Sequence, residues 1–513
     1  MKFARIQSKN KVYKRHHPPI FQRNFCFCTE IYRASLIGLT VLLSACHTHF
    51  PKNDMLFSDS SETIKRASKN NIYVTLSALQ HPRILQKYGG TYHEAKLERL
   101  LAKIVQKLAA AAVSQKNSQP HYSVTILNSE SINAFALPNG SIYITRGMLA
   151  LANDCSEIAA ILAHEIAHIT ANHGILRLQK KAELKSAQHI SSHLFTHDAS
   201  KLYNPIKEQQ QLAQFSRNQE LQADSIALEM LKQAGYDPFA SPRFLQSMEA
   251  YSAFRHFSGT TSSSSDFLAN HPSTPQRIRL AKKKAHKISR GYRGNTDCDS
   301  FLKSIDGMIF GGSAQTGFVR ENHFIHPQLR VAFSVPHNFT IENSAHTVWA
   351  SGPEKIAIRF DSLPRVFERS ASNYLKSGWI TGLDESSIHP ITLQGLSGAR
   401  GRATNEQWQF DVVVILFNNH IFRFLTAAPH DSQHFAAIAA QTVQGFQTLS
   451  SSQLKKLKPL RIRIVQVKRG ESVTTLANKM QNTLHKEKLF RILNGLSPTQ
   501  TIREGTNVKI IIE

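Results

Sequence analysis

His164-Glu165-Ile166-Ala167-His168 is the stretch on which the reading of this 513-residue chain turns. Its flanks, Ile158, Ile161, Leu162, Ile166 and Ile169, are apolar, as in a buried helix. On a helix, residues four apart share a face, so both imidazoles reach one metal ion. Glu165 stands beside the first of them, where its carboxylate can hydrogen-bond a water on that metal. Zinc lowers the pKa of such a water to about 7, and the glutamate then takes its proton as it attacks a carbonyl. A chance pair of surface histidines fits these flanks poorly, because unpaired buried charges are costly. The helix is expected over residues 154–173. Asp154 and Glu157 form a capping box, and Gly174 stands where a stop belongs.

Two histidines leave a catalytic zinc one protein ligand short. The segment Ser216-Arg217-Asn218-Gln219-Glu220-Leu221-Gln222-Ala223-Asp224 supplies a carboxylate pair four residues apart, again on one helix face. Glu220 can bind the metal. Asp224 can accept from the free ring nitrogen of a ligand histidine and fix its tautomer. Taken alone, a surface helix with scattered carboxylates would explain this segment equally well.

The order of motifs decides between these readings. Asn133-Ala134-Phe135-Ala136-Leu137-Pro138-Asn139-Gly140 comes first, then His164 to His168 with His173 beyond. Arg217, Glu220, Ala223 and Asp224 follow, then Ala234-Gly235-Tyr236-Asp237-Pro238, and last His271-Pro272 with Arg277. Over roughly residues 80–285 this resembles the zinc peptidases of the HtpX, BepA and CAAX prenyl-protease superfamily, in particular the periplasmic BepA-like branch. The resemblance implies one zinc per chain held by His164, His168 and Glu220, with Glu165 as catalytic base and Asp224 behind the ligands. It implies that His271 lies near the metal, as an oxyanion stabiliser or as a reversible plug in the fourth position; a loop histidine fixed by Pro272 is the plain alternative. Arg277 is expected to anchor that loop through a carboxylate, and His173 is read as structural. An exposed sheet edge that pairs with extended substrate is expected at the strand near Gly140–Thr145. The chain departs from the family in showing neither several membrane spans nor a repeat of about 34 residues.

Composition sets the frame. Hydrophobic residues make up 41% of the chain and charged residues 19%, which is ordinary for globular domains. The net charge of +26 favours anionic partners, yet no nucleic-acid-binding motif is present, and none of that class is expected as a partner. Eight Lys/Arg and one acid lie within residues 1–45, ahead of or beside the apolar run Leu36-Ile37-Gly38-Leu39-Thr40-Val41-Leu42-Leu43. The run is too short to span a bilayer and ends in Leu43-Ser44-Ala45-Cys46, which resembles a lipobox. Cys46 is thus the expected lipidation site, and residues 1–45 the lipoprotein-type signal peptide. His47 after it leans towards the outer rather than the inner membrane. Cys155 and Cys298 are expected as buried thiols.

Residues 93–112 carry a helical stripe of Leu97, Leu100, Leu101, Ile104, Val105 and Leu108. Tyr122–Leu127 and Ser141–Thr145 read as strands around a Pro138-Asn139-Gly140 turn. Residues 176–214 are polar, read as a lid or a solvated helical hairpin, and a further helix is expected at about 215–234. Gly311-Gly312-Ser313 reads as a linker. Residues 316–450 alternate like strands, with helical patches near 367–377 and 432–447. Residues 463–513 resemble a LysM module, through Val465-Gln466-Val467-Lys468-Arg469-Gly470-Glu471-Ser472-Val473, Leu493-Asn494-Gly495-Leu496 and Arg503-Glu504-Gly505-Thr506-Asn507-Val508-Lys509-Ile510. That resemblance implies strand–helix–helix–strand order and binding of N-acetylglucosamine-containing glycans; a small cap docked on the rest of the chain is the alternative.

The expected architecture is a multidomain α+β protein. The signal peptide covers 1–45, a mainly helical zincin-type protease domain with a small edge sheet 46–290, and a linker 291–315. An α+β accessory domain covers 316–450, and a small βααβ LysM-like tail 461–513. The expected function is a zinc-dependent endopeptidase on the periplasmic side of the envelope, lipid-anchored, acting in quality control on unfolded or misassembled proteins. The alternatives are a zinc peptidase acting on peptidoglycan peptides and a non-catalytic envelope scaffold or chaperone.

Overall fold

The computed structural model describes residues 72–112, 121–177, 179–181, 205–257, 267, 271–272, 274–289, 294, 298–366 and 370–513. The expected signal peptide, Cys46 and most of the expected lid lie outside the described residues.

The protease part is built on helices. After α1 (Ile72–Lys87), α2 (Ala95–Ala112) buries Leu97, Leu101, Ile104, Val105 and Leu108, the stripe its spacing predicts; Leu100 is only partly covered. Strands β1 (Ser123–Leu127), β2 (Ala134–Ala136) and β3 (Ser141–Thr145) form a sheet of order β1-β3-β2. The turn between β2 and β3 needs Gly140, whose φ is +90° and whose added Cβ would lie 2.2 Å from the His121 carbonyl oxygen. Thr145 caps α3 (Arg146–Leu151) by accepting from the Met148 amide.

Helix α4 (Cys155–Thr170) carries the two histidines through the centre of this core. Every residue from Cys155 to Ala167 is buried. Asp154 caps it by accepting from the Glu157 amide at 2.7 Å. The stop is Asn172, not Gly174: Asn172 takes the left-handed conformation at φ 54°, which asparagine tolerates. Helices α5 (Pro205–Gln233) and α6 (Ala240–Phe257) pack on α4, and α7 (Pro275–Ile288) packs on α5 and α6.

The segment expected as a linker is ordered where described. It contains α8 (Cys298–Ile305), whose Phe301, Leu302 and Ile305 enter the protease core. The carbonyls of Ile309 and Gly311 accept from the buried Arg146 guanidinium at 2.7 and 3.1 Å, and Ser313 is fully buried. Buried carbonyls that need donors fix a chain that glycine composition alone makes flexible.

The accessory part has two antiparallel sheets. One runs β10-β11-β12-β13-β9-β8-β7, the other β14-β6-β5-β4. Their strands are β4 (Phe318–Arg320), β5 (His323–His326), β6 (Val331–Ser334), β7 (Thr340–Asn343), β8 (Thr347–Ser351), β9 (Ala357–Pro364), β10 (Leu383–Leu393), β11 (Leu396–Thr404), β12 (Trp408–Phe417), β13 (His420–Pro429) and β14 (Gln447–Thr448). Phe324, Phe333, Phe360, Phe422, Phe424 and Phe446 fill a common core. Short helices α9 (Ala371–Leu375) and α10 (Phe435–Gln444) pack on these sheets, and α11 (Ser451–Lys456) follows β14.

The tail has the expected order: β15 (Arg461–Gln466), α12 (Val473–Asn478), α13 (Lys486–Leu493) and β16 (Asn507–Ile512), with the two strands antiparallel. Its apolar residues Ile462, Leu476, Phe490 and Ile511 share one core with Ile158 and Leu162 of α4. Lys509 of β16 is fully buried and donates to the carbonyls of Ala150 and Ala152 at 2.8 and 2.7 Å, at the negative end of α3. Among the described residues no helix is long and apolar enough to cross a membrane.

Candidate active site

Two helices and one loop bring the site together. Helix α4 contributes His164, Glu165 and His168; α5 contributes Glu220 and Asp224; the residues just before α7 contribute His271. Four-residue spacing on each helix turns the paired groups toward the α4–α5 contact.

The ring nitrogens and the Glu220 carboxylate converge on one point. His164 Nε2 lies 3.1 Å from His168 Nε2 and 3.3 Å from Glu220 Oε2. His168 Nε2 lies 3.5 Å from Glu220 Oε1. His271 Nδ1 lies 3.3 Å from His164 Nε2 and 3.1 Å from Glu220. A tetrahedral zinc with bonds of about 2.0–2.1 Å places its donor atoms about 3.3 Å apart. The donor set therefore has the spacing and the chemistry of a zinc site, to which His164, His168, Glu220 and His271 could each offer one ligand atom.

Hydrogen bonds behind these groups set the tautomers. His164 Nδ1 donates to Asp224 at 3.1 Å, which fixes the ring so that Nε2 is the nitrogen free to give a lone pair to a metal once its proton is lost. Asp224 is held by the Arg277 guanidinium through Nε and Nη2, at 2.7 and 2.8 Å. Arg277 Nη1 also donates to the carbonyls of His271 and Pro272, so one side chain ties α5 to the histidine loop. His168 Nδ1 lies 2.9 Å from His173 Nδ1, and His173 Nε2 lies 3.1 Å from Gln222 Oε1. Gln222 accepts the His173 proton, His173 accepts from His168, and the His168 Nε2 lone pair faces inward. Gln219 donates to the His173 carbonyl and holds this relay in place. Sequence reading treated His173 as structural and did not single out Gln222 or Gln219; the five-residue step from His168 to His173 was the available signal.

Electrostatics follow from burial and these partners. Burial opposes a charged His164, yet the hydrogen bonds it donates to Asp224 and Glu220 outweigh it and push the imidazole up to about 10 in the metal-free protein. Burial and the neighbouring His164 and His271 hold His168 far below the ordinary histidine range. For Glu220, bonds from His164 and His271 overcome burial and keep the carboxylate charged. Glu165 is 1% exposed, and burial pushes its carboxyl up. Its Oε1 has no hydrogen-bond partner and lies 3.8 Å from His271 Nε2. A buried carboxylate oxygen left open beside a converging donor set is where a water or substrate atom would be met.

The open sheet edge differs from expectation. Strand β3 is the middle strand of its sheet, paired on both sides. The outer edge next to α4 belongs to β2. Leu137 bonds to Ser141 and Asn133 to Thr145, so strand alternation turns the Ala134 and Ala136 peptide groups outward. Phe267 caps this edge at one point, donating to the Ile132 carbonyl at 2.8 Å, and its ring stacks on His271 at 4.4 Å.

An H-E-x-x-H helix, a glutamate on the next long helix and a small sheet beside them define a zincin metallopeptidase domain, of the HtpX/BepA-like kind, whose ion is zinc. Residues 95–285 match the model of peptidase family M48. The chain is 28% identical over 199 residues to the beta-barrel assembly-enhancing protease of Yersinia pestis, covering 37% of this chain and 40% of that protein. It is 27% identical over 290 residues to the mitochondrial metalloendopeptidase OMA1 of Schizosaccharomyces pombe, covering 54% and 79%. Over 159 residues it is 30% identical to the OMA1 protein of Arabidopsis thaliana, covering 31% and 30%. The chain thus spans about two fifths of the length of the Yersinia relative it matches.

Proposed function

We propose that the chain is a zinc-dependent endopeptidase of the bacterial cell envelope, hydrolysing peptide bonds in unfolded or misassembled envelope proteins. The observation that carries this reading is the set of donor separations of 3.1–3.5 Å among His164, His168 and Glu220, with the open Glu165 oxygen beside them. Zinc, when held there, supplies the Lewis acidity that polarises a carbonyl and acidifies water. Glu165 takes the proton of the attacking water and hands it to the leaving amine, its raised pKa suiting it to carry that proton. The outward peptide groups of Ala134 and Ala136 offer an extended chain backbone partners that do not depend on its sequence. That edge fits unfolded polypeptide better than compact domains. The assembly-enhancing name of the Yersinia relative supports envelope proteins as the substrate class, and the lipobox-like stretch ending in Cys46, followed by His47, supports an outer-membrane location.

The position of His271 favours a second reading of the same site, as a latent one. With His271 Nδ1 in the fourth position the donor set is closed, as in a structural zinc site. The test compares the full chain with Glu165→Gln and His271→Ala, assayed for zinc content and for cleavage of unfolded casein. Zinc in all three, cleavage by the parent and none by Glu165→Gln is the expected result. Cleavage only after His271→Ala marks a latent enzyme. Zinc in all three without cleavage by any assigns the site to a scaffold.

A further inference from the structure

The Asp224–Arg277 pair that orients His164 faces the metal cluster on one side. On its other side lies a groove between α5 and α7, of about 900 Å³, at the upper end of ordinary ligand pockets. Leu221 and Leu228 line it from α5, and Leu280 and Ile288 from α7. Leu280 is 40% exposed, an apolar side chain open to solvent on a helix with six Lys/Arg and no acid. Lys283 and Lys287, one turn apart, stand exposed on the rim. Lys284 is committed to Ser225 and Glu229. Among the described residues Lys283 and Lys287 have no carboxylate at ion-pair distance.

A solvated charged helix would account for the lysines, but not for the apolar groove beneath them. An apolar floor under a cationic rim complements a molecule with an anionic head and a hydrocarbon chain. A basic amphipathic helix is also the element that lies against anionic bilayers. We propose that the α5–α7 groove binds an anionic phospholipid of a bilayer surface, the headgroup phosphate between Lys283 and Lys287 and an acyl chain along Leu221, Leu228 and Leu280. Each buried methylene adds about fourfold to affinity, so the groove and not the rim sets the preference for lipid over free phosphate.

The test is photolabelling of the full chain on phosphatidylcholine vesicles containing phosphatidylglycerol with a photoreactive acyl chain, followed by peptide mapping. The expected result is label on peptides covering residues 221–228 and 280–288. It falls about 30-fold in the double variant Lys283→Gln/Lys287→Gln. It falls also in Leu280→Gln, which keeps the charge, and stays at the parent level in Lys455→Gln/Lys456→Gln, which removes the same charge from α11. Label confined to the first 71 residues overturns the proposal. So does groove label that survives Lys283→Gln/Lys287→Gln, or that falls equally in the α11 variant, since diffuse charge then explains the binding.

Discussion

The Nδ1 atoms of His173 and His168 lie 2.9 Å apart, which makes His173 the group that decides where the His168 proton sits. A ligand histidine whose outer nitrogen loses its partner is free to rotate and to change tautomer. His173→Ala is expected to lower zinc affinity about 10- to 100-fold while leaving the fold in place. Competition with a chromophoric chelator measures it; an unchanged affinity would remove His173 from the site.

Arg277 neutralises two buried carboxylates at once, bonding Asp224 through two nitrogens and lying 3.1 Å from Glu220. Its loss leaves the two with only the His164 ring between them as a buried cationic partner. Arg277→Gln is expected to destabilise the metal-free protein by about 3–5 kcal/mol. Urea denaturation reads this directly, and a midpoint equal to the parent's would contradict the account.

The β2 edge gives a prediction that separates substrate pairing from folding. Proline at Ala136 removes an outward amide that makes no bond to β3. Ala136→Pro is expected to raise KM for unfolded casein several-fold with little change in thermal stability. A lowered kcat at constant KM would place the substrate elsewhere.

The tail is expected to be inseparable from the protease. Its Ile462, Phe490 and Ile511 complete the core around α4, and Lys509 satisfies carbonyls at the end of α3. Lys509→Met leaves those carbonyls unpaired and should cost about 1–3 kcal/mol. Removal of residues 461–513 should give insoluble protein. A soluble, zinc-binding truncation would show that the tail is an independent module.

His326 makes the accessory sheets sensitive to acid. It is buried on β5, its Nδ1 accepts from the Leu329 amide, and burial lowers its pKa from 6.5 to about 4. The fold therefore favours the neutral ring. The stabilisation is fully present above pH 6.5 and is lost as pH falls through 4, amounting to about 3 kcal/mol. His326→Gln should flatten the stability profile between those values in chemical denaturation, and an unaltered slope would assign the acid sensitivity to other groups.

The sequence by itself determined the metal helix, the pairing of Glu220 with Asp224 on the next helix, and the place of His271. The first follows from spacing within a helix, where residues four apart share a face whatever the rest of the chain does; the roles of Glu220, Asp224 and His271 came from the resemblance that the order of motifs carries. The stripe on α2 was legible for the same local reason, whereas the βααβ order of the tail was implied by its resemblance to a LysM module. Tertiary structure alone decided the rest. It showed that β2, not β3, is the open edge, because strand order depends on partners distant in sequence. It turned Ile309–Ser313 from an apparent linker into a strut, because the buried guanidinium of Arg146 needs carbonyl acceptors there. It joined His173 to Gln222 and Gln219 behind His168, a relay across two helices of which the step from His168 to His173 encodes only the first half. It merged the tail with the protease core, since burial of an apolar face is settled by what packs against it and not by the face itself.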